Sequence, residues 1–376
     1  MRRRVYFLSG FDPRGAAFYY RHFADQLQVF RRNSQRPLRI SRMRERKDSL
    51  LSRWRVLEGS GGEAKVVLDY CFMHWDDIAR NNWPRQPQVL IWDALFVYSW
   101  YLLGGGIQRI ARMSPSVALC GLYPALFFVF ASVVAALGAI VSYGWLIALG
   151  LAAPWPQLLA VLVLGALGAL AWQWADRLGV VWLFRSIRFT HALGQERDRE
   201  LRPRLGDLAE RILALEQEDP AAEIVLVGHS SGSFVMAMLA AALRRQQDFA
   251  ALAPRMRLLS LGQNLANLAV HEGAHLFHAD LLELAQEPRL PWRDITSRDD
   301  YLCFAGVDPY RSCGLAAPLP IYPELELIGL AERRGLSWPG AIITQQFTLH
   351  LDYISTAPQG SEGFDYIAEL LESEPA

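Results

Sequence analysis

The sequence predicts an α/β fold with a mainly parallel sheet, interrupted by a transmembrane helical hairpin. Three observations carry this. Short apolar runs alternate with helical segments along the chain, the pattern of strands joined by helical crossovers. From Met113 to Ala175 there is no Asp, Glu, Lys, Arg or His, a window of 63 residues. A β-branched run, Glu223 to Val227, passes directly into Gly228-His229-Ser230-Ser231-Gly232. The length of 376 residues allows one large domain or two ordinary ones. Hydrophobic residues make up 52% and charged residues 20%, and mean hydropathy is +0.11. That composition excludes a disordered chain and suggests a part in lipid.

The elements follow in order. Val5 to Gly10 reads as a buried strand. Ala16 to Phe30 has helical spacing, and residues 31–50 read as a basic, solvated or lipid-facing stretch. Ser52 to Glu58 and Ala64 to Trp75 read as strands around a Gly-Ser-Gly-Gly turn at 59–62. His74-Trp75-Asp76-Asp77 ends the second of these, with Asp76 or Asp77 expected as a helix N-cap. Asp93 to Gly104 is apolar and aromatic but too short to span, so it is expected at the interface or against the hairpin.

A span needs about 20 apolar residues, so the uncharged window holds two, at about 117–141 and 157–175. Between them a turn at 143–155 carries Tyr143, Trp145 and Trp155 as interfacial anchors. The chain thus divides into 1–107, a hairpin at 108–180, and 181–376. Arg109 and Arg112 precede the hairpin, and Arg177, Arg185 and Arg188 follow it. The positive-inside bias puts both flanks in the cytoplasm of a bacterial-type inner membrane. The apolar run after Met1-Arg2-Arg3-Arg4 is too short for a signal-peptide core.

Beyond the hairpin, Arg204 to Glu216 is an amphipathic helix, and Arg257 to Leu261 and Tyr301 to Ala305 read as strands. Phe364 to Glu372 reads as a helix. Net charge is zero, which removes a global electrostatic case for nucleic acid. Residues 1–60 nevertheless hold 15 Lys and Arg against 5 Asp and Glu. Cys71, Cys120, Cys303 and Cys313 have no CxxC spacing, so neither a disulfide nor a zinc framework is expected.

Gly228-His229-Ser230-Ser231-Gly232 sits between a strand and a helix-prone run, Phe234 to Leu243. In that setting the two glycines permit a tight turn that lifts the Ser230 hydroxyl above the sheet, with the Ser231 N–H aimed at an oxyanion. At these residues the chain resembles the α/β-hydrolase superfamily, near its lipase and esterase members. The resemblance covers about 1–105 and 180–376. It implies a triad in the order Ser, acid, His, and no cofactor. Ser230 is the implied nucleophile and His350, before the C-terminal helix, the implied base. The implied acid is Asp300, with Asp299 and Asp308 as alternatives. The second oxyanion donor is the backbone N–H of Phe11, in a Ser9-Gly10-Phe11-Asp12 loop that lacks the usual His-Gly pair.

A competing pattern is His271-Glu272-Gly273-Ala274-His275, which fits HExxH, with His278 nearby. On one helix from Asn264 to Leu284 it would offer two imidazoles to zinc and Glu272 as base. Gly273 weakens that helix and no further ligand motif follows, so no metal is expected. The expected function is therefore a membrane-anchored serine hydrolase of esters or thioesters, with the bilayer and an acyl or lipid substrate as partners. The alternatives are a non-catalytic membrane scaffold on a hydrolase fold and a zinc hydrolase. Oligomeric state is open.

Overall fold

The structure, a computed structural model, describes residues 2–43, 49–59, 64–312, 314–315, 323–360 and 363–372. It divides into two units. One comprises Met1–Trp83, Arg112–Val117 and Thr190–Ala376, and the other Pro84–Ala111 and Ala118–Phe189.

The first unit is built on an eight-stranded sheet. Its strands are β1 (Arg3–Leu8), β2 (Leu38–Ile40), β3 (Leu51–Glu58), β4 (Lys65–Met73), β5 (Glu223–His229), β6 (Met256–Leu261), β7 (Trp292–Thr296) and β8 (Glu324–Leu327). Their spatial order is β2-β3-β4-β1-β5-β6-β7-β8. The pairs β2–β3 and β3–β4 are antiparallel, and the rest are parallel. β1 and β5 are apolar runs because parallel strands at the sheet centre are covered on both faces. From β1 the chain leaves through helix α1 (Ala16–Ser34) to the edge and returns to β4. It later enters β5 on the other side of β1. The order therefore reverses at β1, and a crevice is expected at the carboxyl ends of β1 and β5.

Alternation along β1 assigns the faces. Val5 and Phe7 pack with Tyr19 and Phe23 of α1 and with Ile367 and Leu370, the last two on the final helix. Tyr6 points the other way and hydrogen-bonds Glu216.

The remaining helices, in chain order, are α2 (Asp76–Asn81), α3 (Pro87–Leu103), α4 (Gly106–Met113), α5 (Pro115–Ala148), α6 (Trp155–Arg177) and α7 (Val180–Gly194). Then come α8 (Leu201–Glu218), α9 (Gly232–Arg244), α10 (Phe249–Leu252), α11 (Leu265–Ala269), α12 (His275–Ala285) and α13 (Pro309–Ser312). The last four are α14 (Leu330–Arg333), α15 (Pro339–Thr344), α16 (Gln346–Leu351) and α17 (Tyr366–Leu371). Glu216 therefore lies on α8, and α9 packs against β1, β5 and β6.

The second unit holds two helices, α5 and α6, long and apolar enough to cross a membrane. At 1.5 Å per residue they run about 51 Å and about 35 Å, against a hydrocarbon core of about 30 Å. Only 6% of the most apolar window of each is buried within the protein. α3 and α4 are also apolar enough as a pair but are bent by 66° at their break. Within this unit the Tyr98 hydroxyl donates to the Gly121 carbonyl at 2.9 Å, tying α3 to α5.

Several expectations need correction. Tyr143 and Trp145 lie inside α5, not in a turn, because the helix continues to Ala148 and ends before Gly150 at φ 81°. The stretch 31–50 contains β2. Tyr301 to Ala305 is not a strand but a series of turns. Asn264 to Leu284 is two helices, α11 and α12, broken at 270–274. Asp76 and Asp77 are the first two residues of α2, whose cap is Trp75 without a side-chain bond. Positions 60–62 of the expected turn, and Cys313, lie outside the described residues.

Candidate active site

Ser230 sits at the carboxyl end of β5, one residue before α9 caps at Ser231. Its φ is 58°, a left-handed backbone that a serine rarely adopts and that costs of order 1–3 kcal/mol. The flanking glycines allow it. A Cβ on Gly228 would stand 2.5 Å from the Gly232 carbonyl oxygen, and one on Gly232 would stand 2.3 Å from that of Leu8. Neither backbone atom can move aside. The turn is then locked by hydrogen bonds. The Ser230 N–H donates to the Leu261 carbonyl at 2.9 Å, and the Ser233 N–H and hydroxyl both donate to the Ser230 carbonyl.

The turn lies at the carboxyl ends of β1 and β5. Gly10, two residues after β1, lies against Ser230: a Cβ there would be 3.0 Å from Ser230 Cβ and 3.3 Å from Oγ. Phe11 follows, buried, with its ring stacked on Trp83 at 5.5 Å. The indole N–H of Trp75 donates to the Ser9 carbonyl at 3.0 Å and fixes this loop. Ser231 begins α9, where the first N–H groups lack intrahelical acceptors.

His350 lies on α16 and Asp300 in the loop after β7, 50 residues apart. Their side chains meet, Nδ1 to Oδ2, at 2.6 Å, and both are buried. The other Asp300 oxygen accepts the Leu302 N–H at 2.9 Å. Gln346, one turn before His350, clamps the acid loop. Its Oε1 accepts the Tyr301 N–H at 2.6 Å and its Nε2 donates to the Asp299 carbonyl at 2.8 Å. His229 holds the other side, its Nε2 donating to the His350 carbonyl at 2.7 Å. Burial, and then the neighbouring His350, push the His229 imidazole down to about 3, so it stays neutral and its tautomer is fixed.

Asp300 on Nδ1 leaves His350 Nε2 as the acceptor nitrogen. That atom is buried and has no hydrogen-bond partner among the described residues. The Ser230 hydroxyl is 3.5 Å from Asn264 Nδ2. Ser230 and His350 are linked through His229, the residue before Ser230, whose Nε2 bonds the His350 carbonyl.

The alternative acids go elsewhere. Asp299 Oδ2 accepts the Ala331 N–H at 3.0 Å, and Asp308 Oδ1 accepts the Tyr310 N–H at 2.8 Å at the start of α13. The HExxH residues straddle the break before α12, so His271 and His275 do not share a helix face. His271 Nδ1 is 3.0 Å from the Asn267 carbonyl. Among the described residues no group of three potential ligands could hold a metal ion.

Asn264, Gln346 and His229 are the site residues that sequence reasoning missed as such. Their contacts cross between distant segments. Only His229, beside Ser230, carried a local signal.

No family model matches the chain, and neither the curated proteins nor the solved structures contain a significant match.

Proposed function

We propose that this chain is a membrane-anchored serine hydrolase that cleaves carboxylic esters or thioesters of acyl or lipid substrates. It would be a member of the α/β-hydrolase superfamily whose strands enter the sheet in a permuted order. The observation that carries the reading is the strained Ser230, φ 58°, next to His229, whose imidazole bonds the backbone of His350 in a buried His350–Asp300 pair at 2.6 Å. Strain of this kind persists where surrounding structure over-determines it, and it clusters at active sites.

The chemistry follows from the groups in hand. Asp300 accepts the Nδ1 proton and holds His350 in the tautomer whose Nε2 takes a proton. The proposal requires the Ser230 hydroxyl to turn from Asn264 to that nitrogen. Ser230 Oγ then attacks the acyl carbon while Nε2 takes its proton, and the same proton passes to the departing alcohol or thiol. Backbone N–H groups of Ser231 and Phe11 stabilise the oxyanion. Water repeats the sequence on the acyl-serine. In this reading the two apolar helices hold the protein in the bilayer, and the positive-inside bias of their arginine flanks supports a cytoplasmic position for both termini.

The test is a long-chain chromogenic ester, such as a dodecanoyl ester, offered to the full-length protein in detergent. Ser230→Ala should lower turnover by on the order of a million-fold with the unfolding midpoint little changed. Undiminished turnover in that variant would end this reading.

A further inference from the structure

A second Ser–His–Asp chain lies on the same unit, formed by Ser52, His74 and Asp76. Ser52 Oγ is 2.8 Å from His74 Nε2, and His74 Nδ1 is 2.9 Å from Asp76 Oδ1. Strand register produces the first contact. β3 and β4 are antiparallel with Ser52 opposite Phe72, so His74, just past the end of β4, reaches back to Ser52. Asp76 is buried and its other oxygen is held by Arg80. Gly15 leaves room for it: a Cβ there would be 2.6 Å from Asp76 Oδ2.

The direction of the chain is set by the acid. Burial pushes the Asp76 carboxyl up, but hydrogen bonds and charge from His74 and Arg80 outweigh it and hold it below the ordinary carboxylate value. An ionised Asp76 accepts the Nδ1 proton, which leaves Nε2 to accept from the Ser52 hydroxyl. Here the serine–imidazole hydrogen bond is already made.

All three residues line a cavity of about 770 Å³, with Arg14, Arg80 and Arg204 also in its wall. Each arginine is paired with a carboxylate: Arg14 with Asp12, Arg80 with Asp76 and Arg204 with Asp77. The wall is thus polar but close to charge-balanced, which suits a small polar ester without net charge. Gly15 and Ala16, at the start of α1, line the cavity as well. Helix-start N–H groups lack intrahelical acceptors and are available to a developing oxyanion.

We propose that Ser52 is a second nucleophile, activated by His74 and Asp76, for small uncharged polar esters admitted to this cavity. Ser52 Oγ bonds to the acyl carbon as His74 Nε2 takes the hydroxyl proton. The bond to the leaving oxygen breaks, and His74 gives that proton to the departing alcohol. Water then cleaves the acyl-Ser52 ester, releasing the carboxylic acid and restoring the hydroxyl.

The experiment is covalent labelling of the full-length protein in detergent with diisopropyl fluorophosphate, a small uncharged ester. Attack on its phosphorus expels fluoride and leaves a diisopropylphosphoryl group that peptide mass mapping can place. The Ser230→Ala protein should take up one such group, on Ser52, and adding His74→Gln should slow that uptake by about a hundredfold or more. Absence of an adduct on Ser52 in Ser230→Ala overturns the proposal. So does labelling of Ser52 at the same rate without His74. In the wild type, an adduct on Ser230 alone sinks this inference and leaves the Ser230 reading standing, and an adduct on Ser52 alone does the reverse.

Discussion

Asp299 and Asp300 are neighbours with separate tasks, and the difference is a matter of which atoms they reach. Asp300 Oδ2 meets His350 Nδ1 at 2.6 Å, while Asp299 spends its carboxylate on Ser297 and on the Ala331 N–H that opens α14. Asp308 caps α13 and pairs with Arg311. Asp300→Asn should therefore cost about ten-thousand-fold in turnover, because an amide can hold the wrong imidazole tautomer. Asp299→Asn and Asp308→Asn touch no imidazole and should cost far less. The three variants on one dodecanoyl ester decide the matter, and a dead Asp308 variant beside an active Asp300 variant would reverse the assignment. Asp294, on β7, shows a different residue-scale effect. Its Oδ1 accepts the Ser260 hydroxyl at 2.5 Å, and its Oδ2 is buried without a partner. Burial pushes this carboxyl up to about 8, more than the Ser260 bond draws it down, so it keeps its proton at neutral pH. The unfolded chain releases that proton above an ordinary value of 3.8. Between about pH 4 and pH 8 the folded state thus binds more protons than the unfolded one, and stability falls as pH rises through that window. Asp294→Asn removes the slope. Its unfolding midpoint should gain steadily on the wild type from pH 5 to pH 8 and gain no more above that. A constant gap across this range would mean that Asp294 is ionised in the fold.

At the scale of elements, what was legible in the sequence depended on how local the cause is. β1, β5 and β6 stood out because burial on both faces forces apolar stretches within them, such as Val5 to Leu8 and Ile224 to Val227. The edge strands β2 and β8 did not, since three or four half-exposed residues with charges among them carry no pattern. Tyr301 to Ala305 misled for a related reason. Cys303 and Phe304 are fully buried, but in the turns that follow Asp300, so apolarity there reports burial rather than strand. The break between α11 and α12 contains Gly273 and coincides with a contact from outside the segment. His271 packs so closely on Gly194 that a Cβ there would stand 2.4 Å from its ring. Hydropathy located α5 and α6, but it is blind to where a helix stops, and Tyr143 and Trp145 proved to be helical. The turn at Ser230 was readable because its two glycines answer to backbone atoms close by in the fold. Asp300 and His350 were readable only as positions in a chain order. The Gln346 clamp, the His229 bond to the His350 carbonyl and the Asn264 contact join segments 34 to 121 residues apart, and no local spacing announces them.

For the whole molecule, the sheet itself constrains how the chain crosses a membrane. β1 lies before the apolar helices in sequence and β5 after them, yet the two strands are paired from Arg3–Glu223 to Leu8–Gly228. Segments that hydrogen-bond to one another occupy the same side of a bilayer, so an even number of crossings separates them. α5 and α6, each long and apolar enough to cross, would supply two. The α3–α4 pair cannot then be a third. Its 66° bend fits an element that would enter the membrane, or lie along it, and return to the side from which it came. At 17 residues α3 is about 25 Å long, short of the hydrocarbon core, and α4 carries Arg109 and Arg112 suited to an interface. The arginines on both flanks of the hairpin support the proposal that the shared side is the cytoplasm. A cysteine at Gly150, between the two spans, should react with an impermeant maleimide added to intact cells, above the background of the four native cysteines. Cysteines at Arg85 and Gly105 should react only after permeabilisation. Outside labelling at Arg85 would invert the orientation. Labelling at Gly105 and Gly150 from opposite sides of the membrane, with Arg85 on the same side as Gly150, would mean three crossings, which a sheet with β1 and β5 as neighbours cannot accommodate.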